Sequence, residues 1–398
     1  MILVINNGST SFRFKVFKSK DYSILATGAI ERLFMDDCYI KYNTTSCNIK
    51  ENITIKNYDE AIEIMTKLLL DKNIGVIKNK NEIKAIGYRV VHGGEKFRES
   101  VIIDNSTLDA IKDLCDLMPL HGESITNSIE ACSNKFNNSL PIAVFDTAFH
   151  STIPKENYLY AIPYDYYTKY GIRKYGFHGI SYSFVLKRVL DLTNKKRDNY
   201  DGIICHLGGG SSICSIKNGK SYDTTMEFTP SSGLIMASRV GNIDPMALFY
   251  IMQREGKNID DIIKMINYES GYKALCNDTD MKSIVDRSEK NDIDAVLTRK
   301  IIEMDFKKSL LSMMVNLDKV DSIIFTGGIG AKNKEQREML LRSLSNYGIE
   351  IDRELNNKCF NTEMIISSQS SRIPVYVVPD DEEKEIANEC VKLIKRRG

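Results

Sequence analysis

Two arginines, one aspartate, one histidine and three glycine-rich turns have the residue types and settings suited to handling an anion. Arg89 and Arg239 stand in the glycine-bearing segments GYRVVHGGE and ASRVGNIDP. A guanidinium forks onto carboxylate or phosphate and stays charged when partly buried. Asp146 ends the apolar run IAVF and precedes Thr147-Ala148-Phe149-His150. Open α/β sheets hold ligands beyond the carboxyl ends of their strands, so an acid there orients a site or joins a metal; otherwise it caps a turn. His178, in YGFHG, suits either a site or a satisfied core position. The turns Asn6–Ser11, Gly208–Ser212 and Gly327–Gly330 each follow an apolar strand pattern. Glycine lets backbone N–H groups and neighbouring hydroxyls approach an anion closely. One such turn is most often only a tight turn, but three in one chain point to phosphate. No G-x-x-x-x-G-K-[ST] and no G-x-G-x-x-G before a helix occurs, which excludes a P-loop and the Rossmann fingerprint. The acidic run Asp380–Glu383 suits Mg²⁺ shared with phosphate oxygens, or a plain helix N-terminus.

The five histidines, His92, His121, His150, His178 and His206, all fall in one central stretch, which marks it as a candidate site. The nine cysteines form no C-x-x-C pair, which argues against a disulfide framework or zinc ribbon and for a reducing cytoplasm. With 54 Lys+Arg against 53 Asp+Glu the net charge is +1, which argues against nucleic acid as the main partner. No apolar stretch approaches the ~20 residues of a membrane span, and no signal peptide pattern opens the chain. A length of 398 residues suits two domains.

Positioning such residues requires strands that end in turns. Residues 2–6 (ILVIN) and 12–17 (FRFKVF) read as two strands of a hairpin around the first glycine turn. Residues 202–207 (GIICHL) and 213–219 repeat that unit around the second, so a duplicated α/β architecture is expected, with both turns facing a shared cleft. Buried strands are expected at 83–91, 141–147 and 373–379, and a strand entering a glycine turn at 322–330. Helices are expected at Asp59–Leu70, at Ser106–Met118 with Ser106 and Asp109 as a capping box, at Leu297–Leu317 and at Glu335–Leu344. The final helix carries acids at its start and bases at its end, with Ile386, Cys390, Val391 and Ile394 as its docking face.

Taken in order, VINNGSTS (4–11), GYRVVHGGEKF (87–97), MPLH (118–121), VFDTAFHSTIP (144–154), YGIRKYGFHGISY (170–182), HLGGGSS (206–212), the segment 217–245, IIFTGGIG (323–330) and VVPDDEE (377–383) resemble the acetate kinase (acetokinase) family. That family belongs to the acetate and sugar kinase/heat-shock protein/actin superfamily, and the resemblance covers nearly the whole chain. It implies an α/β fold of two related actin-like, ribonuclease-H-like domains, with mixed sheets flanked by helices and an interdomain cleft. The first would span 1–150 and be rejoined by 383–398; the second, 151–382, would carry the nucleotide site.

The implied activity is a reversible, Mg²⁺-dependent phosphoryl transfer between ATP and a short carboxylate, by a cytoplasmic homodimer. By motif position, Arg89 and Arg239 would grip the carboxylate and the phosphoryl group. His178 would stabilise the transition state and Asp146 would orient the site. Val91, Leu120, Phe177 and Pro230 would form the acyl pocket, and Asn6 and Glu382 would lie near Mg²⁺. Ser9, Ser11, Arg13 and His121 would border the phosphates with Asn6. His206, Leu207, Gly208, Gly209, Gly210, Asp280, Lys282, Gly327, Gly328, Ile329 and Gly330 would bind the nucleotide. The chain departs from the family's usual pattern at Gly209 (usually Asn), Arg13 and Lys282 (Lys and Arg), Tyr88 and Tyr182 (His), and Ala331-Lys332 (Glu-Asn). The acyl-site residues are kept and the nucleotide margins altered. Propionate as acceptor, pyrophosphate as donor and a non-catalytic nucleotide-binding relative stay open as alternatives.

Overall fold

The computed structural model describes residues 1–8, 11–118 and 121–397. The chain divides into two compact units, Met1–Phe149 with Asp381–Gly398, and His150–Asp380. Each has its own apolar core.

The first unit is built on an eight-stranded sheet. Strands β1 (Ile2–Asn7), β2 (Ser11–Phe17), β3 (Ile24–Glu31), β4 (Tyr39–Thr44) and β5 (Asn48–Asn52) form an antiparallel meander. On the other side of β1 lie β6 (Ala85–Val90) and β8 (Leu140–Phe145), both parallel to their neighbours, with β7 (Val101–Ile102) antiparallel at the edge. The parallel strands are nearly continuous apolar runs because both faces are covered, whereas β2 alternates and turns Arg13 outward. Helix Tyr58–Leu70, capped by Asn57, buries Ala61, Ile62, Met65 and Leu69 and packs against helix Gly122–Lys135. The C-terminal helix Glu382–Arg397 lies over β1 and β6 with Ile386, Cys390 and Val391 buried. It approaches β6 so closely that a Cβ on Gly87 would sit 2.5 Å from Ile386 Cγ2 and 2.6 Å from Cys390 Sγ. That close approach brings the acidic start of the helix beside the end of β6.

The second unit repeats the plan with six strands. β9 (Gly202–Leu207), β10 (Ser211–Lys217) and β11 (Lys220–Thr224) form the meander. β12 (Ser322–Thr326) and then β14 (Val375–Val377) continue parallel on the other side of β9, with β13 (Met364–Ile365) antiparallel at the edge. Helix Gly179–Thr193 packs on β9, and helix Ile293–Met314 on β9 and β10. The expected duplicated α/β architecture with mixed sheets is therefore present.

Two local expectations change. The helix expected from Ser106 runs Asn105–Asp113 and is capped by Asp104, whose carboxylate accepts from Thr107 N at 2.7 Å and from Ser106 Oγ at 2.8 Å. The carboxylate outcompetes the hydroxyl for the orphan amide. Gly327–Gly330 is not an open turn but the start of a short helix, Gly327–Lys332. Gly327 adopts φ +75° to swing the chain from β12 into it, and a Cβ there would meet Leu207 O at 2.6 Å. No helix among the described residues is long and apolar enough to cross a membrane.

Candidate active site

In the first unit, β6 presents Arg89, the end of β8 presents Asp146, β1 presents Asn6 and the C-terminal helix presents Glu382 and Glu383. The β6–β8 register, with Asp146 N donating to Val90 O at 3.0 Å, sets the acid beside the arginine. Arg89 Nε and Nη2 both donate to Asp146 Oδ2, at 3.0 and 2.6 Å, and Nη1 donates to Asn6 Oδ1 at 3.3 Å. Glu382 Oε2 lies 3.5 Å from Nη1. Burial works against the Arg89 charge, but Asp146 and Glu382 outweigh it and hold the guanidinium protonated. Asn6 Nδ2 also donates to Glu383 Oε1 at 3.3 Å, and Lys15 Nζ bonds Glu383 Oε2 at 3.0 Å. Burial opposes ionisation of Glu383, yet Lys15 and then Asn6 keep its carboxyl below the usual range. The result is a fixed cation in a network of oriented acids.

Asp146 is 1% exposed, and its Oδ1 has no hydrogen-bond partner among the described residues. Mg²⁺ is a hard cation that keeps several waters and binds through one or two carboxylates together with substrate phosphates. Asp146 Oδ1 and Glu382 supply oxygens of that kind, so the donor chemistry fits the ion. Asn6, expected beside it, turns its oxygen to Arg89. Among the described residues no group of three or more His, Cys, Asp or Glu forms a metal cage of protein ligands alone.

The other expected residues of this unit are placed differently. Ser11 is buried at the start of β2, and Val91 packs on the core just beyond β6. Arg13 leaves the arginine–acid network and pairs with Glu31 at 3.1 Å on an exposed face. His121 lines a separate cavity of about 680 Å³ with Tyr58 and Asn127. Ser9 and Leu120 lie outside the described residues. His92 is fully buried, its Nδ1 accepting from Gly94 N at 2.9 Å; burial lowers it to about 4.

In the second unit the glycine turn after β9 is the focus. His178 occupies the left-handed region (φ +60°) ahead of helix Gly179–Thr193, a conformation that L side chains other than Asn, Asp and His rarely adopt. Its Nδ1 lies 2.8 Å from Ser212 Oγ. Arg239 Nη1 donates to Pro230 O at 3.1 Å, which ties two expected residues together. A Cβ on Gly210 would stand 3.3 Å from both Arg239 Nη1 and His178 Nε2, so both nitrogens approach the space that a side chain there would take. His206 stacks on His178 with ring centroids 4.1 Å apart. Phe177 is buried, its carbonyl 2.9 Å from His150 Nε2, which gives His150 a core role.

The Gly208 turn and the Gly327 helix abut: a Cβ on Gly208 would lie 3.9 Å from Gly328 N. Gly209 and Gly328 each face open space, and Leu207 and Ile329 line one small void with Ser211. Asp280 instead caps helix Met281–Glu289, accepting from Lys282 N at 3.0 Å, and the Lys282 side chain is exposed. Sequence reasoning missed Lys15 and named Ser212 and Glu383 only within their segments. The acidic run and the HLGGGSS turn pointed to their segments but not to their partners.

The acetokinase family model matches residues 1–388. The acetate kinase of Thermoanaerobacterium thermosaccharolyticum is 41% identical over 396 residues, covering 99% of both chains. Among solved structures, the Porphyromonas gingivalis acetate kinase superposes with a TM-score of 0.93 at 33% identity over 99% of each chain. A propionate kinase from Francisella tularensis superposes with a TM-score of 0.92 at 35% identity over 98% of each. An arginine clasped by an acid in one unit, and a second arginine and a histidine at a glycine turn in the other, thus sit on the two-domain actin-like fold of these kinases, and the chain belongs to the acetokinase family.

Proposed function

We propose that this chain is an acetate kinase that interconverts ATP and acetate with ADP and acetyl phosphate. An acetate oxygen attacks the γ-phosphorus in line. The new P–O bond forms as the bond to the β–γ bridging oxygen breaks, and ADP leaves with that electron pair. Such a transfer depends on positioning and charge neutralisation more than on a strong base. Arg89, held by Asp146 and Asn6, is a cation whose orientation is set in advance. Arg239 and His178 converge on the space over Gly210, and this single observation carries the reading best. They donate to the oxygens of the transferring group, where charge spreads in the transition state. Mg²⁺, supported by Asp146 and Glu382, supplies further neutralisation of phosphate charge when bound. Phe177 and Pro230 of the second unit restrict the acyl group, and His206 to Gly210 with Gly327 to Gly330 receive the nucleotide.

The test is a hydroxamate assay with acetate and propionate against ATP, GTP and pyrophosphate. Acyl hydroxamate from acetate and ATP is expected; none from any nucleotide overturns the assignment. Propionate is the second reading, because the chain is equally similar in structure to a propionate kinase. One methylene is worth about 1–3 kcal/mol in an apolar pocket, so the two acids should differ by roughly 10- to 200-fold in kcat/KM. We place the enzyme in the cytoplasm as a homodimer. Helix Pro245–Glu255 buries none of its residues and exposes Met246, Phe249 and Tyr250, an apolar face suited to a second copy. Light scattering at the mass of one chain would refute the dimer.

A further inference from the structure

Residues 225–244, between β11 and helix Pro245–Glu255, form neither strand nor helix, yet they carry Pro230 and Arg239. So long a stretch without regular structure is uncommon in a compact domain and is most often functional. Its shape comes from side chains and single backbone bonds, and those bonds gather at Glu227. The Glu227 N–H donates to Ser232 Oγ at 2.8 Å, closing the turn that has Pro230 at its bend. The Glu227 carbonyl accepts from Tyr175 N at 3.0 Å and Gly176 N at 3.2 Å, the two residues ahead of Phe177. Its carboxylate accepts from the Tyr160 hydroxyl at 3.1 Å through Oε2, while Oε1 lies 3.8 Å from Lys174 Nζ. One residue thus joins the segment of Phe177 to the segment of Pro230.

Tyr160 holds that residue in turn. Its oxygen donates to Glu227 and accepts from Phe228 N at 3.1 Å, so one phenol fixes a side chain and the next backbone amide together. Burial and the Glu227 charge raise the phenol above its ordinary value, so the donated hydrogen stays in place. The far sides of both segments are also anchored. Phe177 O lies 2.9 Å from His150 Nε2, and His150 Nδ1 lies 2.8 Å from Ser221 Oγ on β11. Pro230 O accepts from Arg239 Nη1 at 3.1 Å. Gly176 adopts φ +81°, and a Cβ there would meet the His150 ring and Thr224 Cγ2 at 2.7 Å, which leaves that segment no slack towards β11.

We propose that Tyr160 and Glu227 form a brace that sets the spacing of Phe177 and Pro230, and through it the selection between short carboxylates. Both are positioning residues. The brace stands on the hydrogen bonds; its use on the acyl group rests on the acetate kinase reading.

The test compares kcat/KM for acetate and propionate in the full-length wild type, Tyr160→Phe, Glu227→Ala and the double variant. Tyr160→Phe keeps the ring and removes both bonds of the hydroxyl. It should narrow the acetate-to-propionate ratio about three- to tenfold, mainly through a higher KM for acetate. Glu227→Ala should narrow the ratio in the same way, and the double variant should stay close to Tyr160→Phe alone, because the two residues act as one unit. Glu227→Gln, which keeps an oxygen for the phenol, should retain the wild-type ratio. Hydrogen exchange followed by mass spectrometry gives a readout independent of turnover. In Tyr160→Phe the amides of Tyr175 and Gly176, which Tyr160 does not touch, should exchange about three- to tenfold faster together with Phe228. An unmoved ratio in Tyr160→Phe, an equal loss for the two acids, or unchanged exchange at Tyr175 and Gly176 overturns the proposal. A wild-type chain that makes no acyl phosphate overturns the acetate kinase reading instead, and hydrogen exchange then decides the brace.

Discussion

Acid should destabilise the first unit through His92, because its imidazole is buried in the neutral form just beyond the strand that carries Arg89. The ring is fully buried, its Nδ1 accepts from Gly94 N at 2.9 Å, and burial lowers it from 6.5 to about 4. In the unfolded chain the same side chain titrates near its ordinary value, about 6.5. Between these values the unfolded state binds the extra proton, so stability rises with pH there. The contribution is fully present above about 6.5 and is lost as the pH falls towards 4. Between pH 7.5 and 4.5 the linkage amounts to about 2.5 kcal/mol, or roughly 5–10 °C in melting temperature for a unit of this size.

The control is His92→Asn, whose Oδ1 still accepts from Gly94 N but does not titrate. Its smaller volume lowers stability by a similar amount at every pH, and all other groups titrate alike in both proteins. Melting followed by circular dichroism at half-unit pH steps should therefore show curves that converge as pH falls, the wild type losing about 2.5 kcal/mol more. Parallel curves would refute the reasoning. Protonation also removes the acceptor for Gly94 N, so loss of activity should accompany the loss of stability over the same window.

Arg239→Ala should lower kcat/KM by about 10²–10³, because the guanidinium stands with His178 over Gly210, and should lower the melting temperature by only a few degrees through loss of its bond to Pro230 O; near-full turnover would remove it from the reaction. Asp146→Asn leaves Arg89 without its carboxylate and should cost about 3 kcal/mol in stability together with most of the activity. An unchanged melting temperature in that variant would mean that Glu382 alone holds the guanidinium. Gly327→Ala places a Cβ 2.6 Å from Leu207 O at a φ of +75°, and should cost about 2 kcal/mol and raise KM for ATP. A variant with normal melting and normal KM would contradict the strained strand-to-helix entry.

What the sequence made legible and what it hid divide along a physical line. Strand identity and the hairpin turns were readable because β1, β6, β8, β9 and β12 are apolar runs bounded by turn residues, a signal carried within a few neighbouring positions. Arg89 and Asp146 were individually visible for the same reason. Their pairing is set by the β6–β8 register, 57 positions apart in sequence, and no local pattern encodes it. Arg13 shows the converse: it follows a glycine turn and suits an anion, yet the outward face of β2 and the cross-strand Glu31 take it away.

The two serines that back His206 and His178 lie further still from local pattern. Ser181 and Ser212 are small, buried and common residues whose hydrogen direction is fixed only by what stands at the far end. A carboxylate behind Ser181 and a phenol behind Ser212 give two similar imidazoles different surroundings. Asp380 and His206 are separated by 174 positions and meet only because β14 and β9 flank β12 in one sheet. Spacing therefore points to the residues that carry charge, but which of them meet is a property of sheet order.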